Sequence, residues 1–109
     1  MIQLIIQARF EATHSWPKCP FEEVGFLRFR HRHEFWVKAR LRANHNDRDV
    51  EFFIAKRTLK DYLDLYFHQR DLGSKSCEMI AEQIVNSDIL PFISVAVYED
   101  GENGAEVFI

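Results

Sequence analysis

Apolar and polar residues alternate at the start of the chain. Ile2, Leu4, Ile6, Ala8, Phe10 and Ala12 share one parity, and Gln3, Gln7, Arg9, Glu11 and Thr13 occupy the other. A period of two is the mark of a half-buried strand, so residues 2–14 are predicted to form one. Residues 28–43 repeat the pattern, with Phe35, Val37, Ala39 and Leu41 opposed to Lys38, Arg40 and Arg42. Between them, Trp16-Pro17, Cys19-Pro20 and Gly25 predict a loop over 15–27, and Asn44-His45-Asn46-Asp47 predicts a turn.

From about Val50 the period lengthens. Phe52, Ala55, Leu59, Leu63 and Tyr66 recur at helical spacing, with Asp49 as the expected cap and Leu72-Gly73-Ser74 as the break. Cys77, Ile80, Ala81 and Ile84 form a second amphipathic stripe, capped by Ser74 or Ser76 and ended by Pro91. Alternation returns over Ile93–Glu99. A turn follows at Asp100–Gly104, and Ala105–Ile109 closes the chain as a strand. The order strand, strand, helix, helix, strand, strand predicts an α+β fold: a four-stranded antiparallel sheet with two helices on one face. Such a sheet leaves two edges open, which oligomerisation by edge pairing would cover.

At 109 residues, 47% apolar and 14% aromatic, the chain reads as one globular domain spanning 1–109. A net charge of -3 makes no global case for nucleic acid. The cluster Arg28, Arg30, Arg32, Lys38, Arg40 and Arg42 alternates with bulky residues, as a solvated strand face does. Cys19 and Cys77 form neither a disulfide framework nor a cysteine-type zinc motif, and predict reduced thiols in a cytoplasmic protein. The first apolar stretch is too short and too interrupted by glutamine to span a membrane. With no basic segment before it, it is not expected to be a signal peptide.

The chemistry sits in three histidines. His14 ends the first strand on its apolar parity. His31 and His33 lead the second, on the parity of Phe35 and Val37. Three imidazoles at the ends of two apolar strand faces suit a catalytic zinc site with three protein ligands and an open position.

Phe10-x-Ala12-x-His14 followed by a strand-leading His31-x-His33 resembles the 6-pyruvoyltetrahydropterin synthase and 6-carboxytetrahydropterin synthase family. The predicted element order resembles that family's T-fold, which oligomerises into a barrel. The likeness extends to Glu51-Phe52 at the start of the first helix, to Tyr66-Phe67-His68 near its end, to Lys75-Ser76-Cys77-Glu78-Met79-Ile80-Ala81 opening the second, and to Glu99 at the end of the third strand.

The resemblance implies Zn2+ held by His14, His31 and His33, and a pterin gripped by Glu99, with Ser76 and Cys77 lining the pocket. It implies a homohexamer or other homo-oligomer with the site between subunits. Its activity would be that of a lyase acting on dihydroneopterin triphosphate or a close relative, with neither nucleic acid nor membrane as partner.

The proton-transfer positions depart from the family. Its cysteine falls at Leu27, the aspartate before its helix histidine at Phe67, and the glycine between its paired histidines at Arg32. The remaining candidates for acid–base work are His68, one turn after Asp64, and the loop residues Cys19, Glu22 and Glu23, since some family members use a glutamate in place of the cysteine. The alternative is a T-fold protein that binds a pterin or purine-like ligand without the family reaction.

Overall fold

The computed structural model describes all residues, 1–109. Its strands are β1 (Gln3–His14), β2 (His31–Arg42), β3 (Phe92–Glu99) and β4 (Asn103–Phe108), with helices α1 (Phe52–Tyr66) and α2 (Cys77–Val85) between β2 and β3. The four strands form one antiparallel sheet in the order β1-β2-β3-β4. The expected α+β architecture is therefore present. No helix is long and apolar enough to cross a membrane.

Strand parity decides which face is buried. Ile6, Ala8, Phe10 and Ala12 of β1 join Phe35, Val37, Ala39 and Leu41 of β2, and Val95 and Val97 of β3. Ala55, Leu59 and Leu63 of α1 and Ile80, Ala81 and Ile84 of α2 complete the same core, so both helices lie on one face. At its centre Phe10 stacks on Phe35 at 5.1 Å and on Phe67 at 5.3 Å between ring centroids. The opposite face carries charge in cross-strand pairs: Arg32 with Glu11, Arg9 with Glu34, and Arg40 with Glu106.

Several boundaries differ from the sequence expectation. Strand β2 starts at His31 rather than at residue 28, because Glu22–Arg28 winds into a short 3₁₀ segment broken at Val24. The cap of α1 is Glu51, whose carboxylate accepts from the N–H groups of Phe53 and Ile54. Asp49 instead accepts from the Asn44 N–H and ties the preceding loop. Helix α1 stops at Tyr66 rather than near Leu72, since the next residues satisfy the open edge of β1. The N–H groups of Gln69 and Leu72 donate to the carbonyls of Glu11 and Thr13, and the Thr13 N–H donates to the Arg70 carbonyl. At the start of β3 a register shift opposite Arg40 and Leu41 turns Phe92, not Ile93, into the core.

The β3–β4 turn carries Asp100 and Gly101 at φ +56° and +73°, and the Glu102 N–H donates to the Glu99 carbonyl. Two successive left-handed residues are what a tight primed hairpin turn requires, and an Asp-Gly pair adopts them readily. Gly104 is required for a different reason. A Cβ there would collide with the Val97 carbonyl oxygen.

Phe67 is fully buried although it stands at a position where the resembled family has an aspartate. Removing its ring should leave a cavity beneath Phe10. Phe67→Ala is expected to cost about 3–5 kcal/mol, read as a lower urea midpoint with little change in slope. A loss below about 1 kcal/mol would mean that the ring does not organise this core.

Candidate metal centre

The ladder between β1 and β2 pairs His14 with His31 and Ala12 with His33. This register, with the shared parity of His31 and His33, brings three imidazoles from two adjacent strands to one point. Their ring centroids lie 4.6–5.2 Å apart. The potential ligand atoms all lie within 4.8 Å of one another. Phe35 forms the floor, edge-on to His14 at 5.3 Å and to His33 at 5.6 Å.

Each ring is oriented through its Nδ1. His14 Nδ1 donates to the Lys75 carbonyl at 2.8 Å, and His31 Nδ1 to the Phe29 carbonyl at 2.8 Å. His33 Nδ1 donates to Asp100 Oδ2 at 2.7 Å. A carbonyl or carboxylate only accepts, so the Nδ1 atoms carry the protons and the Nε2 atoms of the neutral rings are left as lone pairs. Nε2 of His14 and of His33 is buried without a hydrogen-bond partner. Buried unpaired acceptors are costly and rare, and lone pairs converging on one point suit a bound cation. The three histidines therefore fit a divalent metal.

Asp100 was legible in the sequence only as a turn former. Its two oxygens bind different groups: Oδ2 holds His33, while Oδ1 accepts from the Glu34 N–H at 2.9 Å. These contacts hold the Asp100 carboxyl below the usual carboxylate range, the Glu34 N–H contributing most and His33 next. A carboxylate behind a ligating histidine fixes its tautomer and raises its basicity.

Glu99 lies on the other side of the rings. Its Oε2 is 3.1 Å from His14 Nε2 and 3.6 Å from His33 Nε2. Contact with His14 is the main cause lowering the Glu99 pKa, outweighing partial burial, and the charges of His33, His14 and His31 act in the same direction. For His14, burial opposes protonation most strongly. The contact with Glu99, the bond to Lys75 and the Glu99 charge together exceed it and raise the pKa above 6.5.

A cavity of about 510 Å³ opens beside the histidines, lined by His14, His31, Glu99, Ser76, Cys77 and Leu27 among others. That is within the roughly 300–1,000 Å³ typical of small-ligand sites. Ser76 also caps α2, its hydroxyl accepting from the Met79 N–H at 3.2 Å. The Cys77 thiol is pushed up to about 12, first by burial and then by the charges of Glu99 and Glu78, so it is neutral at physiological pH.

The structure thus brings His14, His31, His33, Glu99, Ser76 and Cys77 together. It places the other four candidates outside the cavity lining. Cys19 is buried in the loop, its thiol near the Phe21 carbonyl. Glu22 is exposed and paired with Arg28, and Glu23 is exposed. His68 lies beyond the end of α1 and does not bond Asp64, which pairs with Lys60. Its Nδ1 accepts from the Glu11 N–H at 3.2 Å, which leaves the proton of the neutral ring on Nε2. Leu27, by contrast, lines the cavity.

The sequence matches no protein-family model and no curated protein. Among solved structures, an uncharacterized protein from Wolinella succinogenes is similar, with a TM-score of 0.80 at 14% sequence identity, over 98% of this chain and 97% of that one. The likeness shows a shared fold alone.

Two outcomes follow from this geometry. Asp100→Asn keeps an oxygen acceptor but loses the charge, and should weaken the affinity of the three-histidine cluster for a divalent metal about 10–100-fold in competition with a chromophoric chelator. Unchanged affinity would remove Asp100 as an orienting group. Iodoacetamide at pH 8 should leave Cys77 unmodified in the folded protein and label it in urea, because the thiolate is the reactive form. Prompt labelling of the folded protein would contradict a buried, neutral thiol.

Proposed function

We propose that the protein is a zinc-dependent enzyme of pterin chemistry with a T-fold, similar to the 6-pyruvoyl- and 6-carboxytetrahydropterin synthases. Its substrate would be dihydroneopterin triphosphate or a close relative. The observation that carries this reading is the convergence of three tautomer-locked Nε2 atoms beside a carboxylate, at the wall of a ligand-sized cavity. His14, His31 and His33 would hold the zinc, which when bound supplies a Lewis acid for oxygens on the substrate side chain. Glu99 is the cavity carboxylate suited to accept from the amino and ring N–H groups of a pterin, a charge-assisted bidentate contact.

Catalysis then calls on groups outside the cavity lining of one chain. His68, whose Nδ1 is taken by the Glu11 N–H, would serve as a neutral donor, its Nε2–H hydrogen-bonding a substrate oxygen that gains charge, delivered from a neighbouring copy. Strands β1 and β4 are the two edges of the sheet; the Glu11–Thr13 end of β1 is covered by its own chain, and the Lys60 ammonium donates to the Arg9 carbonyl. Edge pairing between copies, as in a homohexamer or other homo-oligomer, would complete such a site.

One observation favours a second reading, a binding protein without the family reaction. Leu27 stands at the position of the family's cysteine and presents an aliphatic side chain to the cavity.

The deciding experiment measures zinc in the purified protein and in His31→Ala, then supplies dihydroneopterin triphosphate and follows the products. About one zinc per chain, lost in His31→Ala, is expected, with turnover that His68→Ala reduces by about 10²–10⁴-fold. A parent protein with no affinity for zinc would sink the site. Zinc and tight pterin binding without turnover would establish the second reading in place of the first.

A further inference from the structure

Glu99 bears on the metal centre itself. The Nδ1 protons of His14 and His33 are committed to Lys75 and Asp100, so their Nε2 atoms present lone pairs to Glu99. Carboxylate oxygens also present lone pairs. With both rings neutral, acceptors face one another at 3.1 and 3.6 Å from two buried histidine nitrogens, and protonating His14 turns only the shorter contact into an ion pair. A single proton could relieve the His14 contact but would leave His33 facing the same oxygen. A dication at the centre relieves every contact at once.

The spacing agrees with that resolution. Two ligands held about 2.0–2.1 Å from one zinc at the tetrahedral angle lie roughly 3.3 Å apart. The two observed separations fall on either side of that value. The carboxylate is not locked in place. The Glu99 side chain keeps 36% of its exposure and opens on the cavity. Its backbone, by contrast, is held by the pairing with Phe35 and with Asn103.

We propose that Glu99 is a fourth, displaceable ligand of the metal centre, closing it when the cavity is empty and released when a ligand takes its carboxylate. This rests on the metal site of the proposed function and adds a control to it. Sites with four protein ligands are closed, and catalytic sites keep a position open. One carboxylate alternating between metal and ligand would couple the opening of that position to the arrival of a group with paired N–H donors. The open position would then be created only when it is useful.

Cobalt(II) tests this by its ligand-field spectrum, which reports the atoms around the metal without any turnover. The full chain is loaded with cobalt, as the parent, Glu99→Gln and Glu78→Gln, Glu78 being a cavity-lining carboxylate that makes none of these contacts. The visible bands should shift in Glu99→Gln and not in Glu78→Gln, with cobalt affinity reduced about tenfold or more in Glu99→Gln alone. Adding neopterin to the parent should move its bands toward those of Glu99→Gln. Circular dichroism establishes that both variants are folded.

Identical bands and affinity in parent and Glu99→Gln would overturn the fourth ligand while leaving the three-histidine site standing. An equal shift in Glu78→Gln would overturn it too, as a nonspecific charge effect. A shift in Glu99→Gln with no response to neopterin would keep the ligand, overturn its displacement, and count against the pterin reading. A parent that takes up no cobalt or zinc would remove both this proposal and the site beneath it.

Discussion

The register of β1 against β2 is the constraint on which the rest of the molecule depends. It sets His14 opposite His31 and Ala12 opposite His33. It also sets Phe10 opposite Phe35, so one ladder builds the aromatic centre of the core and the three-histidine cluster above it. A slip of one residue would turn every inward side chain of a strand to the other face. The long run of buried positions on both strands makes that slip prohibitive. The site borrows its rigidity from the core, because the parity that buries Phe35 and Val37 also aims His31 and His33.

The second layer of order comes from segments whose primary task is elsewhere. The chain after α1 leaves the helix early to cover the edge of β1, and in doing so places His68 against Glu11. The β3–β4 turn adopts two left-handed residues to reverse the chain, and its Asp100 reaches back to His33 and Glu34. The segment entering α2 supplies the Lys75 carbonyl to His14 and the Ser76 cap to the helix. Each histidine is thus aimed by a backbone or turn group already fixed by secondary structure.

Electrostatically the site is asymmetric. Two carboxylates attend the histidines from opposite sides, Asp100 at Nδ1 of His33 and Glu99 near Nε2 of His14 and His33. The first is anchored by the Glu34 N–H and acts as a fixed support. The second is partly exposed and opens on the cavity. Cys77, between Glu99 and Glu78 in charge and buried in the cavity wall, stays neutral and contributes shape rather than reactivity.

Alternation and helical period were enough to predict the element order, the buried faces and the three histidines on one surface. These are local properties: parity follows from the strand itself, and burial follows from which parity is apolar. Strand and helix ends were less legible. The early stop of α1 is set by hydrogen bonds to residues far along the chain, which no local pattern reports, and the late start of β2 by the 3₁₀ winding of the loop before it. The same holds for the proton-transfer candidates. Spacing placed His68 one turn after Asp64, but the helix ends before it, and the edge of β1 takes the ring instead. The pairing of Asp100 with His33 and the approach of Glu99 to the histidines needed the register of β3 on β2, which joins residues more than sixty apart. The sequence by itself determined which side chains share a face. Only the tertiary structure decided which of them meet, because meeting depends on register and chain path rather than on period.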